Sequence, residues 1–219
     1  LVMGVANERS SAWGIAAAAA EAGAELAFTY QMEGFGKRLR PLAESVGSDL
    51  MVECDVAHEG AVNKAFDWLA GHWSSIDFVV HALAFSDKSE LKGPYFNTSR
   101  QNFTDTMMVS AFSFTEVAQA ARHMMPDGGA LLTLSYIGAQ RISPNYNVMG
   151  VAKAALESSV RYLAVDLGGQ NIRVNAMSAG PMKTLAGAAI TGARHIYRHS
   201  EDSAPLRRNP DINEVGRSG

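Results

Sequence analysis

Cysteine is nearly absent: Cys54 is the single one in 219 residues, so no internal disulfide forms and the chain suits a reducing, cytoplasmic compartment. Cys54 itself reads as a small apolar residue at a strand end. An excess of one charge is missing too. The 19 Lys and Arg against 22 Asp and Glu leave a net charge of -3, with no basic footprint for nucleic acid. No apolar run approaches the roughly 20 residues of a membrane-spanning helix. The alanines from Ala16 to Ala20 end at Glu21. No secretory signal, internal repeat or low-complexity linker is visible, and no metal site is expected.

What remains is the composition of a compact α/β protein, with 47% hydrophobic residues and 20 glycines. The length allows one large domain with a full core. The chain opens inside an apolar run, Leu1 to Gly4, and closes at Glu214 to Gly219 where a helix begins, so it reads as the ordered part of a longer protein.

Short apolar runs alternate with longer helical segments. Strands are expected at Leu1–Val5, Glu25–Tyr30, Leu50–Cys54, Phe78–Leu83, Ala130–Ser135 and Arg173–Ser178. Helices are expected at Ala12–Ala22, Phe35–Val46, Glu59–Trp73, Gln101–Met125 and Tyr146–Leu167, with Gly23 and Gly47 placed for C-caps. Strands that are continuously aliphatic are buried on both faces. This pattern predicts a doubly wound parallel sheet, Rossmann-like, in a three-layer α/β/α single domain over residues 1–219. Ligands of such a sheet bind at the carboxyl ends of its strands.

After the first strand the chain also lacks G-x-G-x-x-G. Gly4 and Gly14 remain, ten positions apart, with Ser10 and Ser11 at the start of a helix. Gly4 permits a tight turn, Gly14 a close helix contact, and the helix N-terminus a pyrophosphate. The second strand ends at Gln31, which bonds a ribose 2′-hydroxyl and offers no charge for a 2′-phosphate. Lys37 and Arg38 lie further on and leave NADPH open. Asp55 and Val56 end the third strand, where they flank an adenine; Asp55 also suits an early helix N-cap.

Tyr146 and Lys153 are seven residues apart, with Tyr136 ten residues upstream. Seven helical residues turn by about 700°, so positions 146 and 153 share a face. A helical lysine leans toward the N-terminus, which aims the Lys153 ammonium at the Tyr146 ring. A phenol beside a fixed cation stabilises an oxyanion. The plain alternative is an amphipathic helix with an exposed lysine and a half-buried tyrosine.

Together these residues make the chain resemble the short-chain dehydrogenase/reductase superfamily, and within it the bacterial enoyl-acyl-carrier-protein reductases. The resemblance covers nearly all of the chain. Its specific parts are Trp13-Gly14-Ile15-Ala16, Leu131 to Tyr136, Pro144 to Lys153, and Arg173 to Pro181. Most of the superfamily carries Tyr-x-x-x-Lys, but position 149 is Met149 and the tyrosine sits three places earlier. The superfamily's serine would fall at position 136, which is Tyr136. Hydride delivered to the β-carbon of an enoyl thioester puts negative charge on a more distant oxygen, and a displaced tyrosine meets it there.

The resemblance implies NADH-dependent reduction of trans-2-enoyl chains on acyl carrier protein, in fatty-acid elongation, with NADPH the lesser cofactor. Tyr146, Lys153 and Tyr136 take the catalytic positions; Tyr136 lines the acyl pocket or assists protonation. Gly4, Ser10, Ser11, Ile15, Gln31, Asp55, Val56, Ala82, Leu83, Lys153, Gly180, Pro181, Met182 and Thr184 take cofactor positions. Phe85, Leu91, Met149, Ala186 and Ile190 join the two tyrosines around an apolar acyl slot. Residues 184–200 match a mobile substrate-binding segment. Its Arg194, His195, Arg198 and His199 face an acidic carrier protein or plain solvent. A homotetramer is implied, and the chain ends before the family's last strand. A carbonyl reductase and a non-catalytic dinucleotide-binding regulator are the competing readings.

Overall fold

The computed structural model describes residues 1–182, Thr184, Gly187 and 193–219. Its six strands are β1 Val2–Met3, β2 Phe28–Tyr30, β3 Met51–Glu53, β4 Phe78–His81, β5 Gly129–Ser135 and β6 Ile172–Ser178. They form one sheet in the order β3-β2-β1-β4-β5-β6, with every pair parallel. The sheet order reverses beside β1, which pairs through Val2 with both Phe28 and Val80. That switch point is where an open α/β sheet leaves a crevice.

Eight α-helices are described: α1 Ser11–Glu21, α2 Glu33–Ser45, α3 Ala61–Ala70, α4 Arg100–Met107, α5 Ser113–Ala121, α6 Asn147–Gly168, α7 Ala193–Ser203 and α8 Ile212–Ser218. Successive strand residues point to opposite faces. Val2 and Val80 therefore join Ile15, Ala16, Leu39 and Ala43 of α1 and α2 in one core. Met3 and Val79 join Phe66, Phe114, Val117 and Leu156 of α3, α5 and α6 in the other. Each large aliphatic side chain so buried contributes roughly 1.5–3 kcal/mol. These two cores make the expected three layers. Among the described residues no helix is long and apolar enough to cross a membrane.

The expected single helix Gln101–Met125 is interrupted. A π-helical turn, Met108–Phe112, separates α4 from α5, and a 3₁₀ turn, Arg122–Met124, ends the stretch. Ser99 caps α4, its hydroxyl accepting from the Asn102 N–H at 3.1 Å. At the other end of the chain, Asp211 and Glu214 form a capping box on α8, and Arg208 grips Glu214 at 2.5 and 2.6 Å. Gly14 lets α8 lie directly on α1: a Cβ there would stand 2.6 Å from the Ile212 carbonyl oxygen.

Candidate active site

A cleft of about 1040 Å³ opens at the carboxyl ends of the strands. Every strand contributes to its wall: Gly4 after β1, Gln31 after β2, Asp55 and Val56 after β3, Ala82 and Leu83 after β4, Tyr136 after β5, and Gly180, Pro181 and Met182 after β6. Thr184 and Ser11 also line it. Gly4 has φ +96°, and any side chain there would run into the Ala82 carbonyl, so β1 and β4 can end side by side only with glycine.

Three cofactor positions implied by the resemblance do not line the cleft wall. Ser10 turns back and donates from Oγ to the Asn7 carbonyl at 2.6 Å, so only Ser11 of the pair faces the cleft. Ile15, one helical turn further on, is 3% exposed and packs in the α1–α2 core. Its position on α1 turns it to the sheet rather than to the opening. Lys153 lies behind the wall, buried in α6, with its Nζ donating to the Leu134 carbonyl at 2.7 Å. The ammonium is thus directed at the end of β5, where the sequence reading aimed it at the Tyr146 ring. A buried ammonium must take the nearest acceptor, and here that is a strand carbonyl. Burial draws its pKa down to about 8.

Several features of the cofactor half fit an extended dinucleotide. The N-terminus of α1 has no side-chain cap and no acidic residue in its first turn, which leaves the Ser11 and Ala12 N–H groups for an anion. Gln31 donates from Nε2 to Asp55 Oδ2 at 3.1 Å, and Asp55 Oδ1 holds the Ala57 N–H at 3.0 Å. This pair places an amide and a carboxylate at the far end of the cleft, where ribose hydroxyls are the natural partners. Asp55 forms a turn rather than a helix cap, since α3 begins after Gly60. Cys54 also lines the cleft, but burial, then Asp55 and Glu116, push its thiol up to about 11.

At the other end the Tyr136 and Tyr146 rings meet edge to face, centroids 5.0 Å apart. Tyr146 stands at the start of α6, flanked by Asn145 and Asn147 with φ of +61° and +40°. Asparagine tolerates that left-handed region better than most residues. Burial, then the neighbouring Tyr136, holds the Tyr146 phenol well above its ordinary range. The hydroxyl is therefore a proton-bearing donor at neutral pH. Glu157, one turn past Lys153, accepts from Ser135 Oγ at 2.6 Å and Gln140 Nε2 at 3.1 Å, which ties α6 to the segment carrying Tyr136.

Phe85, Leu91 and Met149 line the apolar part beside the tyrosines. Ala186 and Ile190 lie outside the described residues. Ile196 and Tyr197 of α7 face the same space, and sequence reasoning missed both. Tyr197 donates from its hydroxyl to the Met182 carbonyl at 2.9 Å. Arg194, His195, Arg198 and His199 occupy the exposed side of α7. An apolar-in, basic-out division was thus legible once the basic residues were set on a helix. His81, also unforeseen, is fully buried between Thr133 Oγ1 at 3.0 Å and Ser113 Oγ at 2.8 Å. Burial, then the Lys153 charge, lowers its pKa to about 3, so the ring is neutral. Among the described residues no cluster of His, Cys, Asp or Glu suits a metal ion.

Known proteins resemble this chain in sequence and fold. The family described as "Enoyl-(Acyl carrier protein) reductase" matches residues 4–219. The Enoyl-[acyl-carrier-protein] reductase [NADH] 2 of Rhizobium meliloti is 57% identical over 218 residues, covering 100% of this chain and 81% of the relative. The crystal structure of FabI from Candidatus Liberibacter asiaticus superimposes with a TM-score of 0.97 at 54% identity, over 99% of this chain and 84% of that one. The Anaplasma phagocytophilum reductase, solved in complex with NAD, gives 0.95 at 55% identity, over 99% and 82%. The match over residues 4–219 and the 57% identity show that the chain belongs to the enoyl-acyl-carrier-protein reductase family.

Proposed function

We propose that this chain reduces the trans-2 double bond of enoyl thioesters on acyl carrier protein with NADH, as a step of fatty-acid elongation. One observation carries the chemistry: the buried, protonated Tyr146 phenol stands in the cleft wall beside Tyr136, while Met149 fills the position a carbonyl reductase gives to its tyrosine. The bound nicotinamide supplies a hydride to the β-carbon. Tyr146 donates a hydrogen bond to the thioester oxygen as negative charge gathers there, a contact that strengthens toward the transition state. With the cofactor bound, Lys153 exchanges the Leu134 carbonyl for ribose hydroxyls and keeps the local potential positive. Tyr136 walls the acyl slot with Phe85, Leu91 and Met149, and the α-carbon takes a proton to complete the product.

NADH is the preferred cofactor because β2 ends at Gln31, an amide that bonds a ribose hydroxyl and brings no positive charge for a 2′-phosphate. Lys37 and Arg38 are exposed, and Arg38 lies over the Phe35 ring at 6.0 Å. The exposed basic side of α7 suits an acidic carrier protein. The homotetramer that the family resemblance implies would use exposed apolar surface such as Tyr162 at 73% and Val165 at 81% on α6, and light scattering measures it directly. A cytoplasmic setting accords with the lone free cysteine.

The test mixes the protein and NADH with either a trans-2-enoyl or a β-ketoacyl thioester and follows nicotinamide absorbance. Oxidation with the enoyl substrate alone is expected. Oxidation with the keto substrate alone contradicts the role given to Tyr146.

A further inference from the structure

From α4 to α5 the inward face carries Asn102, Thr106, Ser110 and Ser113, all buried, where an amphipathic helix would place apolar side chains. Burying such groups is unfavourable unless each finds a partner. Asn102 and Ser110 find theirs in the segment after β4. Asn102 Oδ1 accepts from the Asp87 N–H at 2.8 Å and from Ser86 Oγ and Thr106 Oγ1 at 3.2 Å, while its Nδ2 donates to Glu90 at 3.2 Å. Ser113 Oγ meets His81.

Ser110 makes a two-point attachment. Its Oγ accepts from the Phe85 N–H at 2.9 Å and donates to the Phe85 carbonyl at 3.0 Å, so one hydroxyl holds both polar atoms of a single main-chain residue. Ser110 reaches there from the π-helical turn Met108–Phe112, whose Met108 and Val109 line the cleft. Turns of that kind recur at functional sites. The Phe85 ring is 49% exposed, so packing alone does not place it. Its main chain does.

We propose that Ser110 is a positioning residue for the acyl chain: by fixing the Phe85 main chain it sets where the Phe85 ring stands in the slot, and with it which acyl lengths are accepted. The inference rests on the enoyl-thioester activity proposed above and adds to it a determinant of chain length. Ser110 touches neither substrate nor cofactor; it acts through Phe85. A merely structural role would lower stability and all activities together. A positioning role changes the ratio between substrates and loses its effect once the Phe85 ring is gone.

The experiment measures kcat/KM for trans-2-dodecenoyl and trans-2-butenoyl thioesters, the NADH dissociation constant and thermal unfolding. It compares wild type, Ser110→Ala, Phe85→Ala and the double variant. Ser110→Ala is expected to change the long-to-short ratio about fivefold, given the two hydrogen bonds lost, with NADH affinity nearly unchanged. The double variant is expected to match Phe85→Ala. Ser110→Cys, which keeps the volume and a weak donor, gives a smaller change and serves if Ser110→Ala does not fold. An active wild type with an unchanged ratio in these variants overturns the inference alone, as does an equal shift without the Phe85 ring. A wild type inactive on both thioesters overturns the proposed activity and the inference with it.

Discussion

Gly138 lies so close beneath Tyr146 that a Cβ on the glycine would stand 2.5 Å from the tyrosine ring. The same Cβ would meet the Tyr136 ring at 3.2 Å, so one glycine makes room for both aromatic groups of the site. Gly138→Ala therefore displaces the phenol. The expected result is a loss of roughly a hundredfold in kcat, since misplacement of about 1 Å has that scale, with a modest drop in unfolding temperature. Steady-state kinetics beside a thermal melt checks this; equal losses in both would mean general unfolding instead.

Tyr146→Phe removes the hydroxyl and keeps the ring packed on Tyr136. Loss of one preorganised donor to a developing oxyanion lowers kcat by about a hundred- to a thousandfold. KM for the thioester changes little, because the contact gains its strength on the way to the transition state. Full turnover by this variant would remove Tyr146 from the chemistry.

Lys153 titrates near pH 8 because it is buried. The charged form is the one assigned to the ribose and the local potential, so activity is present below that pH and falls as pH rises through it. The pH profile of kcat/KM, which reports ionisations of the free enzyme, is expected to decline above about 8. Lys153→Ala is expected to weaken NADH binding about tenfold or more, the scale of a lost charged hydrogen bond. An unchanged dissociation constant by titration would contradict the assignment.

His81 makes acid stability a separate test. Its ring is held neutral in the fold, with a pKa near 3 against 6.5 for the free side chain. Below pH 6.5 the unfolded chain binds a proton that the native chain refuses, so stability falls as pH drops from about 6.5 toward 3. The slope from this one group is at most about 1.4 kcal/mol per pH unit. Denaturant titrations of wild type and His81→Gln across that range should show a shallower acid decline in the variant.

Sheet and strand ends were legible because parallel strands buried on both faces show as plain aliphatic runs. The seven-residue spacing put Tyr146 and Lys153 at one end of α6, although Tyr146 stands at its N-cap and not within it. Less legible was helix phase. Ser10 and Ser11 are neighbours, yet only one faces the cleft, and Ile15 points to the core; which one turns inward depends on where α1 begins. The Lys153 ammonium went to a strand carbonyl that helix geometry alone does not reveal. The polar stripe Asn102, Thr106, Ser110 and Ser113 reads in sequence as a solvent face. Asn102 and Ser110 find their partners in a loop that only the folded chain brings near. Tyr197 was hidden among the basic residues of α7.

The central claim is that hydride reaches the β-carbon of an enoyl thioester held by Tyr146. Its most direct test is turnover of a trans-2-enoyl thioester with NADH deuterated at the transferred position of C4, followed by mass spectrometry of the product. The account predicts a saturated thioester with deuterium at the β-carbon and a solvent hydrogen at the α-carbon. Deuterium at the α-carbon, or a deuterated β-hydroxy product formed from a ketoacyl substrate instead, would contradict it.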